Sequence, residues 1–529
     1  MPLDKIVLIT LILLISMVIL AAIGSRLRLP YAILLVLGGG LIGLIPALPH
    51  IELQSELILV IFLPPLIYTA AWFTSWRDFR NQLDFILLLA IGLVLATLLA
   101  VAFVAHTFIP GLPWAVAFVL GAVVSPTDTV AASSIIQGQG LIRRIAAVIE
   151  GESLVNDATG LVAYRFAIAA AVSGTFSLTA AGLQFVIVSI GGILMGLILA
   201  LGITWLHRQI EDTTTQIIIT IITPFAAYLI AEALGLSGVL ATVAAGLYLG
   251  RQSATFFSSE TRLQGNSFWN VLVFISNSFI FLLIGLQLPN RIANLGSRSI
   301  PTILGHILMI SLTVIGVRLA WTFACINLLR ILPRAIPHLR PGVSWRYALV
   351  ISWAGMRGGV SLAAALAIPT TVANGTSFPK RDLLIFITFG VILFTLLVQG
   401  LTLGPLIRWL KVDHDPTIKR ETQAALIAST QVALKKLDEL KNDEPSIQKY
   451  IDRLRSYYER KLALIEQNDE EVDLQKLQRL HELFGHVQKD IHNEERNVLI
   501  AMRNKGEIND EVFHKIEQNL DIEEQRFYR

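Results

Sequence analysis

At 529 residues, 54% hydrophobic and only 15% charged, with a mean hydropathy of +0.65, the chain is too apolar to be a soluble globular protein. The net charge of +3 hides a partition: of 42 basic and 39 acidic residues, about 20 and 25 lie beyond Leu410, leaving about 22 and 14 before it, a loop-arginine excess that implies no nucleic-acid partner. The one cysteine, Cys325, sits in an apolar run, which excludes an intrachain disulfide and argues against thiol or metal chemistry.

The first apolar stretch, Ile6 to Ile23, has no basic n-region beyond Lys5 and no small-residue cleavage site, so it reads as a span and not as a removed signal. Apolar segments of crossing length then recur, giving about thirteen spans. They start near Ile6, Pro30, Glu56, Phe85, Trp114, Ile142, Gly182, Thr215, Leu236, Phe268, Ile303, Ser344 and Leu383. Only Gly235-Leu236-Ser237-Gly238 separates the eighth from the ninth.

Loop arginines alternate. Arg26, Arg28, Arg77, Arg80, Arg143, Arg144, Arg208, Arg251, Arg262, Arg330, Arg334, Arg340 and Arg346 fall on one side. Lys5, Arg291, Arg298, Lys380 and Arg381 fall on the other. Basic residues of short loops stay in the cytoplasm, which predicts an outside N-terminus and a cytoplasmic tail in the inner membrane of a cell.

Thirteen spans suggest two inverted six-helix repeats joined by the seventh, so that the fifth and twelfth correspond. Both are interrupted, the fifth by Ser125-Pro126-Thr127-Asp128-Thr129 and the twelfth by Gly355-Met356-Arg357-Gly358-Gly359. Matching breaks point to a midplane site, because unwound backbone is tolerated at membrane depth only where it lines a cavity; two ordinary kinks are the alternative. The predicted fold class is therefore an all-α polytopic membrane protein, residues 1–410, followed by a charged helical tail, residues 411–529.

A charge at the bilayer centre costs about 3 kcal/mol on insertion scales, so each needs a partner or a task. The deep candidates are Asp128, Glu152, Asp157, Arg165, Glu232, Arg318 and Arg357. In Gly151-Glu152-Ser153-Leu154-Val155-Asn156-Asp157, residues four apart share a helix face, so Ser153 stacks with Asp157 and Glu152 with Asn156. Asp157, the Ser153 hydroxyl and the Asn156 amide oxygen are hard ligands suited to an alkali cation, and the same carboxylate can instead take a proton. Competition for one carboxylate is antiport. Glu152 and Arg357 are read as a structural ion pair, the alternative being that Asp157 neutralises Arg357. Asp128 either caps its half-helix N-terminus or binds the ion. Arg165 and Arg318 are assigned to backbone or to Glu232, and His106 and His306 to packing.

These segments resemble the monovalent cation/proton antiporter superfamily, in its sodium/proton exchanger branch with an Asn-Asp pair. The resemblance runs through Phe62-Leu63-Pro64-Pro65, Ser125-Pro126-Thr127-Asp128, Gly151-Glu152-Ser153 with Asn156-Asp157, Gly355-Met356-Arg357-Gly358 and Val398-Gln399-Gly400-Leu401-Thr402. It implies that Asp157 carries the cation or the proton, with Ser153 and the Thr127 carbonyl as further Na+ ligands, and that Glu152 pairs with Arg357 and Asn156. It also implies a homodimer with an elevator motion, electroneutral exchange because Asn156 replaces a second acid, and a role in pH and sodium homeostasis. Thr129 replaces a proline common in relatives, and Thr69 an acid found in several, which leaves potassium/proton exchange as the alternative. No cofactor is expected beyond the transported Na+ and H+, or Li+ or K+; the partners are these ions and the lipid bilayer. A cation channel would need ring-forming filter residues that the sequence lacks. An intramembrane aspartyl protease would pair Asp128 with Asp157 and leave Asn156 and Arg357 without a role.

In the tail, Leu434, Leu437, Leu440, Leu454, Leu462 and Leu464 recur at helical spacing among mixed charges. This predicts amphipathic helices that either stabilise a dimer, answer a cytoplasmic regulator or merely extend into solvent.

Overall fold

A computed structural model describes residues 3–27, 31–44, 55–128, 143–173, 178–293, 300–331, 345–372, 375–411, 416–443 and 448–466, with a few positions besides. Thr129, the second half of the fifth span, Arg28, Arg298, Arg334, Arg340 and most of the tail after residue 466 lie outside the described residues. Within them the chain is all-helical, apart from one isolated bridge between Thr371 and Ser377. Two units separate, Met1–His414 and Asp415–Arg529.

In the first unit the helices run α1 Leu3–Leu27, α2 Tyr31–Gly43, α3 Ser55–Phe73 and α4 Trp76–Asn81. Next come α5 Leu83–Phe108, α6 Trp114–Val124, α7 Arg143–Ser173, α8 Leu178–Gln209 and α9 Thr213–Ala233. The unit closes with α10 Gly238–Phe256, α11 Ser259–Ala293, α12 Ile300–Ile331, α13 Trp345–Trp353, α14 Gly359–Leu366 and α15 Arg381–Leu410. Among the described residues, six stretches are long and apolar enough to cross a membrane, in α5, α8, α9, α11, α12 and α15, and four shorter apolar ones lie in α1, α2, α3 and α6. Three expected spans fall short of that measure: α10 carries the polar run Arg251-Gln252-Ser253 near its end, and the other two fail for different reasons. Helix α7 is too polar, carrying Glu150, Glu152, Asp157 and Arg165, whereas α13 and α14 are only 9 and 8 residues long because the chain is broken between them.

The short α9–α10 connection forms because Gly235 takes a left-handed conformation at φ +70°, letting the Leu236 N–H reach the Ala231 carbonyl at 2.9 Å. Ser237 then caps α10 by accepting from the Leu240 N–H at 3.3 Å. Helix α5 passes through a π-helical stretch, Leu88–Leu93, where the Trp321 indole donates to the Leu88 carbonyl at 3.0 Å.

With lipid outside, helices associate through close packing of small residues. On α2 and α11 a Cβ at Gly39 would lie 2.3 Å from the Leu282 carbonyl and one at Gly285 2.0 Å from that of Val36. The main core gathers α2, α5, α6, α12, α13, α14 and α15, while a smaller cluster joins Leu63 and Ile67 of α3 to Leu154 and Ala158 of α7 and Val239, Leu240 and Val243 of α10.

In the second unit, α16 (Pro416–Asp443) and α17 (Gln448–Glu466) pair, with the Gln423 amide donating to the Ile465 carbonyl at 2.9 Å. Leu437 is buried as expected, but Leu440 and Leu454 are exposed; the inner face is Thr430, Leu437, Ile451 and Ile465, set by the helix faces that meet and not by leucine spacing.

Candidate cation site

The two breaks meet. The Asp128 N–H donates to the Met356 carbonyl at 2.8 Å, and Gly359 N–H donates to Asp128 Oδ2 at 3.3 Å. Asp128 thus places its carboxylate at the N-terminus of α14, the half-helix of the opposite break, where the positive end of the helix dipole stabilises it. The sequence expectation had it either capping its own half-helix or binding the ion. A Cβ on Gly358 would lie 1.7 Å from Asp128 Oδ2, so only glycine permits the approach.

The Glu152–Arg357 pairing expected from sequence is corrected. Glu152 is paired with Arg318 of α12, whose Nη1 and Nη2 reach Glu152 Oε1 and Oε2 at 2.5 and 2.8 Å, both side chains being 1% exposed. The same guanidinium donates to the Ser352 and Ile351 carbonyls at the end of α13, both at 3.1 Å. Arg318 lies over Gly355, where a Cβ would sit 2.1 Å from its Nε. Arg357 instead satisfies broken backbone: its Nε donates to the Val124 carbonyl at 2.8 Å and its Nη1 to the Gly355 carbonyl at 2.5 Å. An arginine at a helix break thus has orphan carbonyls within reach that a sequence-level search for carboxylates overlooks. Arg165 does pair with Glu232, at 2.5 Å, as one of the expected assignments had it. His106 stacks on Trp114 with ring centroids 4.2 Å apart.

Thr127 is the hub. Its hydroxyl donates to Glu152 Oε1 at 3.3 Å and accepts from the Asn156 amide at 2.7 Å, while its carbonyl accepts from the Ser153 hydroxyl at 3.0 Å. Asp157, 8% exposed, stands apart from this network: its Oδ1 is buried with no hydrogen-bond partner, as is the amide oxygen of Asn156. A buried carboxylate oxygen left unsatisfied is costly unless a proton or a cation occupies it in turn.

Asp157 lines a cavity of about 530 Å³ together with Thr127, Asp128, Ser153 and Ser361. Sequence reasoning missed Ser361 and four other polar lining residues, Tyr31, Glu150, Asn270 and Asn277. Glu150 precedes Asp157 by seven positions, the spacing of one helix face, and that signal was available. Asn277 was hidden inside an apolar helix. Thr69 also faces the cavity, with its hydroxyl donating to the Pro65 carbonyl at 2.7 Å. Among the described residues no group of three or more His, Cys, Asp or Glu side chains is placed to hold a metal ion.

Residues 12–409 match the family described as sodium/hydrogen exchanger, transmembrane. An uncharacterized Na+/H+ exchanger of Mycobacterium tuberculosis is 34% identical over 513 residues, covering 96% of this chain and 94% of that protein. The sodium, potassium, lithium and rubidium/H+ antiporter of Bacillus subtilis is 39% identical over 364 residues, 67% of this chain and 54% of its own length. Among solved structures, the sodium proton antiporter MjNhaP1 of Methanocaldococcus jannaschii matches with a TM-score of 0.60 at 21% identity, over 79% of this chain and all of that one. The chain therefore belongs to the sodium/hydrogen exchanger family, a multi-pass membrane transporter that exchanges monovalent cations for protons and is not an enzyme.

Proposed function

We propose that the protein exchanges one sodium ion for one proton at Asp157 by alternating access across the inner membrane. The observation that carries this is the division of charge: Glu152 is matched by Arg318 and Asp128 is engaged at the α14 N-terminus, so of these three buried carboxylates Asp157 is the one that keeps a buried, unpartnered oxygen on the cavity wall. Ser153 and Thr127 line the same cavity and supply further hard oxygens, and the buried, unpartnered amide oxygen of Asn156 is another, the set that a dehydrated alkali cation needs. Asn156 contributes no charge, so one carboxylate carries one cation or one proton, and the exchange is electroneutral. A homodimer in which the broken-helix core slides against the remainder is the motion that this family suggests, and pH and sodium homeostasis the role.

Potassium is the second reading. The uncharged Thr69 on the cavity wall, and the Bacillus subtilis relative named for four alkali cations, both favour a permissive site.

In proteoliposomes carrying a pH gradient, sodium should collapse the gradient with the native protein and not with Asp157→Asn. Retained exchange in that variant would remove Asp157 from the reading, and the ranking of lithium, sodium and potassium measures selectivity.

A further inference from the structure

Beyond the exchange site, the cavity holds a carboxylate with no assigned task. Glu150 is half-buried in α7, lines the cavity, and makes no hydrogen bond or ion pair with a described residue. A carboxylate kept at membrane depth without a partner is expensive, which points to an intermittent cationic partner.

Its placement says which. Glu150, Ser153, Leu154 and Asp157 follow i, i+3, i+4, i+7 spacing and all line the same cavity. Seven residues of helix put Glu150 about 10 Å from Asp157 along the axis. The exposed part of the lining is Ala70 and Phe73 in the last turn of α3 and Asn270 and Phe274 in the first half of α11, whereas Leu63, Ile67, Leu154, Asp157, Asn277 and Phe281 at the other end are buried. Glu150 therefore stands between the open mouth and Asp157. Among the described residues no lysine or arginine lines the cavity, so no described cation on its wall cancels this charge. At the inner end, the unpartnered Oδ1 of Asp157, in a side chain 92% buried on its 8% exposure, marks where a ligand must finish.

We propose that Glu150 is a recruitment carboxylate: it holds the arriving monovalent cation near the cavity mouth and raises its local concentration at Asp157. This rests on the reading of Asp157 as the exchange carboxylate. A unit charge about 10 Å away, through a wet cavity of intermediate effective dielectric, changes cation occupancy about 5-fold. It acts on the cation before binding and leaves the translocation step alone, so it belongs to KM and not to the maximal rate.

The test is sodium-driven proton exchange in proteoliposomes over a sodium titration. Glu150→Gln should raise the KM for sodium about 5-fold with the maximal rate reduced less than twofold, and Glu150→Asp should stay near the native KM. Adding Ala70→Glu to Glu150→Gln moves the carboxylate to the exposed α3 wall of the same cavity and should recover most of the native KM; a packing role for Glu150 would show no such rescue. Should Glu150→Gln not be recovered folded, Glu150→Asp and Ala70→Glu in the native chain remain, the latter expected to lower KM. A KM unchanged in Glu150→Gln or by Ala70→Glu, while the native protein exchanges and Asp157→Asn does not, overturns the recruitment role alone. Absence of exchange in the native protein overturns both.

Discussion

Glu152 and Arg318 form a bidentate pair between side chains that are each 1% exposed, and such a pair is worth more as a constraint than as net stability. Removing one member leaves a buried charge uncompensated, at a cost of about 3–5 kcal/mol. Glu152→Gln should therefore lower the temperature at which the detergent-solubilised protein loses its monodisperse peak, and Glu152→Gln with Arg318→Met should recover most of the loss. If Glu152→Gln is as heat-stable as the native chain, the pair does not hold the site. Every charge in this network was legible from its apolar surroundings, since a charge at membrane depth stands out. Its partner was not: Arg318 and Glu152 lie 166 positions apart, and choosing between Arg318 and Arg357 needs the crossing geometry of α7, α12 and the break.

At the level of elements, the two broken segments are mutually dependent. Asp128 sits against Gly358 and Gly359 because no side chain intervenes, and its carboxylate takes the place of the missing turn before α14. Gly358→Ala should abolish exchange and reduce the yield of folded protein, whereas Gly305→Ala on α12, where a Cβ meets nothing within 4 Å, should leave both unchanged. Equal behaviour of the two variants would mean that the breaks do not pack as described. The breaks themselves were readable, since Pro126 and Gly355-Met356-Arg357-Gly358-Gly359 interrupt apolar runs in the fifth and twelfth spans. That each helix is completed by a group from the other break was not, because capping across a bundle leaves no trace in local spacing. In α16 and α17 the period was likewise legible, but which leucines face inward depended on the partner helix.

For the whole molecule, the exposed cavity lining belongs to the ends of α3 and α11 that lead to Arg77, Arg80 and Arg262. Around Asp157 the apolar cluster of Leu63, Ile67, Leu154, Ala158, Val239, Leu240 and Val243 packs α3, α7 and α10 together. Further along α7, Arg165 meets Glu232 at 2.5 Å, and Glu232 Oε1 also accepts from the Gly238 N–H at 3.1 Å, tying α7 to the α9–α10 turn. With Arg165 48% and Glu232 27% exposed, this pair is worth about 1 kcal/mol or less, a tie weak enough to break in every transport cycle. With the orientation proposed from the short-loop arginines, the open end would face the cytoplasm. In a Cys325→Ser background, Ala70→Cys should thus react with a membrane-impermeant maleimide in inside-out vesicles and be protected in intact cells. Glu232→Gln weakens the closure at the far end, so it should shift molecules away from this conformation and slow labelling at Ala70→Cys. Labelling from intact cells alone would reverse the orientation, and a Glu232→Gln rate equal to the native one would mean that the Arg165–Glu232 tie does not bias the equilibrium between the two faces.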